Sequence, residues 1–222
     1  MLTAVGIVSI ASARADNTIS DSSLDPDEAL TVVYAVYGGN TGDKLASHYV
    51  NVTDKVLDLL KKSPAGFSVT EDAVVGKHGT DLCQSLLIVY NYEQKSYFYN
   101  IAEGGGTVSA DTLKSWAKTH AKVHIGAPID VAPGDSFHVV FAAYGLGDTF
   151  FNVTDIIRNL LYEQPDGFIV TDAAMGGDPH PGWVKCLIVI FDDPTGRHLY
   201  SMFNLGPKVS KAAILEAAKV SL

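Results

Sequence analysis

Cysteine is scarce in this sequence, with Cys83 and Cys186 the only two among 222 residues. Two cysteines cannot build the dense disulfide framework of many small secreted proteins, and no Cys-x-x-Cys or Cys/His pair has the spacing of zinc ligands. The two residues form either a single bridge or two free thiols. Because free Cys packs as a small apolar residue, the sequence favours two buried thiols. No metal site is expected.

Basic residues are also few. Lys and Arg together number 16 against 25 Asp and Glu, which gives a formal net charge of −9 and a pI near 5.1. Such a chain lacks the positive surface that attracts phosphate backbones or anionic lipids, so neither nucleic acid nor a membrane is an expected partner. The hydrophobic fraction of 47% is nevertheless enough for a packed core.

Catalytic signatures are missing as well. The sequence has no G-x-S-x-G elbow, Walker loop, H-E-x-x-H motif or Rossmann glycine fingerprint. The glycine-rich stretch that begins at Glu103 carries no lysine, which indicates a flexible turn rather than a phosphate cradle. Acidic residues such as Glu71 and Asp172 recur at turn positions, and turn chemistry explains them without glycosidase chemistry. We therefore expect no catalytic residues, no cofactor and no enzyme activity.

The N-terminus has the pattern of a signal peptide. An apolar stretch from Leu2 to Ala11 leads into Ala13-Arg14-Ala15, which fits an A-x-A cleavage site. At about ten residues the stretch is too short to span a bilayer. We predict a signal peptide over residues 1–15, a secreted protein, and a polar N-terminal segment over residues 16–28. The alternative is a frayed apolar segment.

One ten-residue phrase occurs twice in the chain. "NVTDKVLDLL" begins at Asn51 and "NVTDIIRNLL" begins at Asn152, 101 residues later. Further on, "LIVYNY" matches "LIVIFD" at an offset of 100 residues, which suggests one deletion in the second copy. Two long copies predict tandem domains rather than a solenoid of short repeats. Identical pairs at the offset of 101 include Pro64/Pro165, Gly66/Gly167, Phe67/Phe168, Val69/Val170, Thr70/Thr171, Ala73/Ala174 and Gly76/Gly177.

Each copy predicts the element order β-α-β-β-β-α. Strands rich in β-branched and aromatic residues end at glycine, and apolar residues at i, i+3 and i+4 indicate a helix after Thr53 or Thr154. Each Thr is expected to cap that helix, and Ser109 is expected to cap the closing helix of the first copy. The third strand of the first copy, from Leu82 to Tyr92, carries a continuous apolar run and is expected to be central in its sheet. The fold class is therefore α+β, a tandem duplication of a sandwich with an antiparallel sheet and helices on one face. The expected boundaries are 29–122 for the first domain, 123–135 for a linker and 136–222 for the second. The two sheets should lie side by side or join into one.

The repeated Asn-Val-Thr is also a formal N-glycosylation acceptor. Asn51 and Asn152 are therefore candidate sugar-attachment sites, which requires export through a eukaryotic secretory pathway. The other interpretation is a strand-to-helix junction used twice. Since one structural cause explains both copies, the sequence favours the junction, and glycosylation is compatible with it.

The second copy resembles the C-terminal domain of DnaJ-like subfamily C member 11 proteins, a domain of unknown function. The matching motifs, in the same order, are Tyr144-Gly145, Asn152-Val153-Thr154, the turn from Asp178 to Gly182, and Lys185 with Leu187 and Val189. Asn152 stands where that family has Asp, and the first copy lacks the Asp-Pro turn. The resemblance implies a fold and assigns no catalytic residues. The order of elements is also loosely similar to that of fungal α/β-sandwich lectins, with no shared motif.

The loop "GGDPHPGWVK" is the most distinctive part of the second copy. Asp178, His180, Trp183 and Lys185 could converge there as polar groups beside an aromatic platform, which suits a carbohydrate ligand. The alternative is a hairpin stiffened by proline, with its Trp packed on the core. The predicted function is a secreted, non-enzymatic, lectin-like binding protein with glycans as partners. The alternative is a structural or protein–protein interaction module with a protein partner.

Overall fold

The computed structural model describes residues 18–19, 30–40, 47–76, 82–120, 136–204 and 206–220. The predicted signal peptide and the predicted linker lie outside these ranges. In the first half the elements are β1 (Thr18–Ile19), β2 (Leu30–Asn40), β3 (Ser47–Asn51), α1 (Thr53–Lys62), β4 (Phe67–Ser68), α2 (Glu71–Val74), β5 (Leu82–Tyr92), β6 (Lys95–Ala102), β7 (Thr107–Val108) and α3 (Ala110–Thr119). In the second half they are β8 (His138–Leu146), β9 (Thr149–Asn152), α4 (Thr154–Glu163), β10 (Cys186–Asp193), β11 (Gly196–Phe203) and α5 (Lys211–Val220).

Each half contains an antiparallel sheet with the same order of strands. The first sheet runs β3-β2-β5-β6, with β1 pairing the beginning of β2, and the second runs β9-β8-β10-β11. The continuous apolar runs of β5 and β10 place both strands in the interior of their sheets, as the sequence predicts. The fold class is α+β.

The element order differs from the prediction in one respect. A short strand, β3 or β9, lies between the first long strand and the helix in each half, where the sequence predicts a loop. The predicted second strand does not join the main sheet, because Phe67 and Ser68 pair with β7 in a separate small ladder and Phe168 forms one bridge with Val209. The sequence predicts that the first strand of each half ends at glycine, but Gly38 and Gly145 lie within β2 and β8. Gly147 lies in the hairpin between β8 and β9.

The register fixes which residues of the two halves correspond. The backbone N–H of Glu103 donates to the Gln84 carbonyl at 2.9 Å, and that of Asn204 donates to the Lys185 carbonyl at 2.9 Å. These contacts keep the offset of 101 residues through β10 and β11, so the expected shift to 100 is wrong. An offset of 100 would place the side chains of β10 on the opposite face of the sheet. Residues at the offset of 101 are called equivalent below.

The helices cover one face of each sheet. Buried side chains at every second position of β5, such as Leu86 and Ile88, pack against Val56 of α1 and Leu113 of α3. The second sheet packs in the same way against Ile157 of α4 and Ile214 of α5, among others. Ser109 caps α3 by accepting a hydrogen bond from the Thr112 backbone N–H at 3.0 Å, as the sequence predicts.

The other faces of the two sheets pack against each other. Leu87 and Val89 of β5 belong to one buried apolar layer with Ile188 and Ile190 of β10. The prediction that the sheets lie side by side or form one sheet is therefore wrong, because each has a second apolar face that needs cover. The layers run helices, sheet, sheet, helices. None of the helices in the described ranges has the length and apolarity needed to span a bilayer.

Candidate functional site

The repeated Asn-Val-Thr forms a hydrogen-bonded junction between strand and helix in both halves. In the second half, Oδ1 of Asn152 accepts from the backbone N–H of Thr154 at 3.0 Å and from its hydroxyl at 2.6 Å. The first half repeats the contacts between Asn51 and Thr53 at 3.0 and 2.7 Å. Asn51 is exposed and Asn152 is half-buried. The junction interpretation is confirmed, and glycosylation stays a prediction.

The predicted helix cap at this junction is wrong. Val52 and Val153 occupy the N-cap positions, and neither supplies a side-chain capping bond. The Thr154 hydroxyl instead accepts from the backbone N–H of Ala142 at 3.0 Å, and Thr53 does the same for Ala35 at 2.9 Å. Because β3 and β9 end here, the neighbouring strand loses its ladder partner, and the buried Thr hydroxyl replaces it.

The loop from Thr171 to Lys185 connects α4 to β10 and covers one end of the second sheet. The Thr171 hydroxyl accepts from the Ala174 backbone N–H at 3.2 Å, which starts the turn. Gly177 has a φ of 144°, a region that residues with a Cβ rarely adopt, and a Cβ there would lie 3.7 Å from Cε2 of Phe151. The loop therefore passes close over β9.

Lys185, the last residue of this loop, anchors it through two ion pairs. Its side chain is 3% exposed, and its Nζ lies 2.8 Å from Oδ1 of Asp178 and 3.2 Å from Oδ1 of Asp172. The same Asp178 oxygen accepts from the His180 backbone N–H at 2.9 Å, and the Tyr144 hydroxyl donates to Asp172 at 2.7 Å. One buried cation, directly before β10, thus binds both the start and the middle of the loop.

The pKa shifts show that the anchor is charged. Burial alone would lower the pKa of Lys185, but its hydrogen bonds to Asp178 and Asp172 outweigh burial and raise it. The hydrogen bond from Lys185 lowers the pKa of Asp178. Burial, together with the hydrogen bond to Asp172, raises the pKa of Tyr144 well above its ordinary value. Lys185 is therefore a structural cation that stays protonated near neutral pH, not a nucleophile.

The first half has a neutral pair in the equivalent place. Gln84, which is equivalent to Lys185, is buried, and its Oε1 accepts from the Tyr37 hydroxyl at 2.5 Å. Residues 77–81 of the first half lie outside the described residues. The charged anchor, Lys185 with Asp172 and Asp178, belongs to the second half.

The four residues that the sequence predicts as a ligand site fall into two pairs. Asp178 and Lys185 form the ion pair under the loop. His180 and Trp183 lie on its outside, with ring centroids 5.8 Å apart in an edge-on arrangement. Trp183 is 57% exposed, so it does not pack on the core. Val184 on the same loop and Phe151 of β9, over which the loop passes at Gly177, are exposed large apolar side chains.

A second polar cluster lies on the hairpin between β10 and β11, and no motif in the sequence indicates it. Nε2 of His198 lies 3.0 Å from Oδ1 of Asp193 and 2.8 Å from the Thr195 hydroxyl. A catalytic relay needs its carboxylate and its nucleophile on different ring nitrogens. Here both contact the same nitrogen, so the cluster stabilises the turn.

A cleft of about 700 Å³ lies beside β11, between the edges of the two sheets. Its walls include Tyr34 and Tyr49 from the first half, and Arg197, Leu199, Tyr200 and Ala217 from the second. Sequence reasoning missed this cleft because its residues come together only when the two sheets stack.

Within the described parts of the chain, no group of three or more His, Cys, Asp or Glu side chains could hold a metal ion. No protein-family model, curated protein or solved structure matches the chain.

Proposed function

We propose that this is a secreted, non-enzymatic binding protein that contacts carbohydrate through the loop of residues 176–185. The observation that carries the proposal is Trp183, 57% exposed on a loop that the buried Lys185 holds in place. An exposed aromatic ring on a fixed loop loses little conformational freedom when a ligand binds.

The chemistry of the loop suits a sugar. The indole of Trp183 offers a flat apolar surface for the C–H groups of a pyranose ring. The His180 ring lies beside it, and the Asp178 side chain is 34% exposed, so both can take hydrogen bonds from sugar hydroxyls. The net charge of −9 disfavours strongly acidic glycans.

We also propose that the chain arose by tandem duplication. The shared strand order, the offset of 101 residues from Asn51 onward and the repeated Asn-Val-Thr junction support it. The Lys185 anchor and the Gln84 pair differ, which suggests that the two halves have diverged in what they bind.

A protein partner is the second candidate. Phe151 and Val184 are each 40% exposed, and with Trp183 they add apolar area that a glycan would leave uncovered. We propose that these side chains form one apolar surface, a feature typical of protein interaction sites.

A glycan-array screen tests the proposal. The full chain is compared with Trp183→Ala and with Tyr162→Ala, a control that removes another exposed aromatic ring of the same half. Glycan binding that Trp183→Ala abolishes and Tyr162→Ala retains would support the lectin. Absence of glycan binding by all three proteins would overturn it and favour the protein partner. Equal glycan binding by all three would overturn the assignment of the site to Trp183.

A further inference from the structure

The outer edge of the first sheet is closed by a tryptophan. Nε1 of Trp116, on α3, donates to the Phe98 carbonyl of the edge strand β6 at 3.1 Å. The indole also meets the Tyr99 ring edge-on, with centroids 5.2 Å apart and an interplanar angle of 85°. Tyr99 is 9% exposed under this cover. The indole therefore satisfies an edge carbonyl and buries an aromatic ring at once.

The second half has the same acceptor and the same ring without the indole. The equivalents of Phe98, Tyr99 and Trp116 are Leu199, Tyr200 and Ala217. Tyr200 is half-buried, not buried like Tyr99. His120, which stacks on Trp116 at 3.6 Å, is equivalent to residue 221, outside the described residues.

The register shows that the Leu199 carbonyl points outward. In antiparallel pairs, hydrogen-bonded and non-hydrogen-bonded pairs alternate. The bond from the Asn204 N–H to the Lys185 carbonyl makes that pair hydrogen-bonded, so Leu199, five residues earlier, belongs to a non-hydrogen-bonded pair with Ile190. Its backbone groups therefore face away from β10. In the first half, the hydrogen-bonded pair is Glu103 with Gln84, and the same alternation makes the Phe98 carbonyl, five residues before Glu103, face away from β5. That is the side on which Trp116 donates to it.

The cleft of about 700 Å³ lies where the indole would be. Leu199, Tyr200 and Ala217 all line it, and its volume is within the range of small-molecule sites. Arg197 is the cationic side chain on its wall, and Asp192 binds that guanidinium through two hydrogen bonds of 2.7 and 2.8 Å. With this charge already matched, the cleft favours an uncharged ligand.

We infer that this cleft binds a planar aromatic group with an N–H or O–H donor, an indole or a phenol. The ring would lie over Ala217, edge-on to Tyr200, with its donor on the Leu199 carbonyl. The ligand is either a free small molecule or a Trp or Tyr side chain of a peptide. This site is separate from the loop that carries Trp183 and does not depend on a glycan function.

The first experiment is a titration of the full chain with indole, followed by amide chemical shifts in NMR spectra. We expect saturable shifts at Leu199, Tyr200 and Ala217. 1-Methylindole has the same shape without the donor, and we expect it to bind about fivefold more weakly, the usual effect of one hydrogen bond. No saturable shift with indole, or equal affinity for 1-methylindole, would overturn the inference.

Two variants locate the site. Ala217→Trp supplies the missing indole from within the chain and should abolish binding, whereas Ala212→Trp, at an exposed position of the same helix, should not. Trp116→Ala opens the equivalent place in the first half and should raise the stoichiometry from one indole to two. This second variant keeps the test decisive if Ala217→Trp fails to fold. Unchanged indole binding by a folded Ala217→Trp would contradict the site, and so would an unchanged stoichiometry of one in Trp116→Ala.

The source of the ligand follows from a comparison of probes. Short peptides with a central Trp or Tyr are titrated beside indole and N-acetyl-tryptophanamide. Binding of a peptide more than about tenfold tighter than that of the amide would indicate a protein side chain, because strand pairing along β11 then adds to the ring contact. Tighter binding of free indole would indicate a small molecule.

Discussion

Lys185 occupies in the second half the position that Gln84 occupies in the first, and the backbone carbonyl of each accepts a 2.9 Å hydrogen bond from the residue that follows the neighbouring strand. The side chains differ in charge. Gln84 accepts a hydrogen bond from a tyrosine hydroxyl, whereas Lys185 binds two carboxylates of a loop. One substitution at a fixed backbone position thus separates a neutral contact from a charged anchor.

We expect Lys185→Gln to lower the free energy of unfolding by about 2 kcal/mol. The change leaves Asp172 and Asp178 together without their cation. The loss is smaller than for a fully buried pair because the two carboxylates remain 38% and 34% exposed. Urea unfolding measures it, with Lys208→Gln, a change at an exposed lysine, as the control. Equal stability of the two variants would show that the anchor contributes nothing.

The anchored loop should be insensitive to pH across a wide range. The pKa of Asp178 is lowered from 3.8, so its contribution to stability is complete above pH 3.8 and is lost as the pH falls through the lowered value. The pKa of Lys185 is raised from 10.5, so its contribution is complete below pH 10.5 and is lost as the pH rises through the raised value.

NMR of the Trp183 indole N–H detects both limits in a His180→Asn background, where no imidazole lies beside the indole. We expect a constant signal between these limits and a change on either side. A further Asp178→Asn change should remove the acidic change and keep the basic one. A transition near neutral pH in the His180→Asn protein would contradict this account of the anchor.

The Thr154 hydroxyl should matter for folding even when no sugar is attached. Thr154→Val leaves the buried Ala142 N–H without its acceptor, and we expect a loss of about 1–3 kcal/mol. Thr154→Ser keeps the hydroxyl and should cost much less. The protein is produced in bacteria and unfolded in urea.

Asn152→Asp separates the two roles of the motif, because it keeps Oδ1 and destroys the glycosylation acceptor sequence. We expect near-wild-type stability for this variant. A loss of stability as large as that of Thr154→Val would contradict the assignment.

Phe141→Ala should destabilise both halves together. Its ring lies 5.2 Å from that of Phe98 across the layer between the sheets, and truncation of a buried Phe costs about 3–5 kcal/mol. Unfolding is followed separately at Trp116 and Trp183, one in each half. We expect coincident transitions that shift together, whereas Tyr162→Ala should leave both in place. A shift at Trp183 alone would show that the halves unfold independently.

Cys186 should be unreactive in the folded protein. Its side chain is buried and free, and burial raises its pKa to about 12. In a Cys83→Ser variant, so that no other thiol is present, a thiol reagent at pH 8 should label it only after denaturant is added. Rapid labelling without denaturant would contradict the packing of this layer. The sequence favoured a free thiol here, and the structure confirms it for Cys186; the side chain of Cys83 lies outside the described residues.

Local patterns in the sequence predicted the fold class and much of its secondary structure. The extent of β5, the helices after Asn-Val-Thr and the cap at Ser109 follow from periodicity and capping rules. Strands β3 and β9 were missed because stretches of four or five residues beside glycine carry too little pattern. The apolar run of β5 indicated a central strand, but only the tertiary structure shows that the second sheet covers one of its faces.

The candidate site was predictable in part. Asp178, His180, Trp183 and Lys185 were selected as one polar group, whereas the structure divides them into an ion pair, Asp178 with Lys185, and a ring pair, His180 with Trp183. The burial of Lys185 was not predictable, since it depends on Asp172, 13 residues away along the chain. The cleft beside β11 requires residues from both halves. The feature that defines it is an alanine, Ala217, where the first half has Trp116, and this difference becomes evident only when the two halves are compared.

The apolar layer between the sheets makes each half the folding partner of the other. A half produced alone would expose a complete sheet face to water, so it would associate with a second copy or with its missing counterpart. Two separately produced fragments that divide the chain between α3 and β8 should therefore reassemble when mixed, with the layer supplying the specificity. The two fragments would therefore serve as a split protein, because their reassembly would report that the two molecules fused to them are close together.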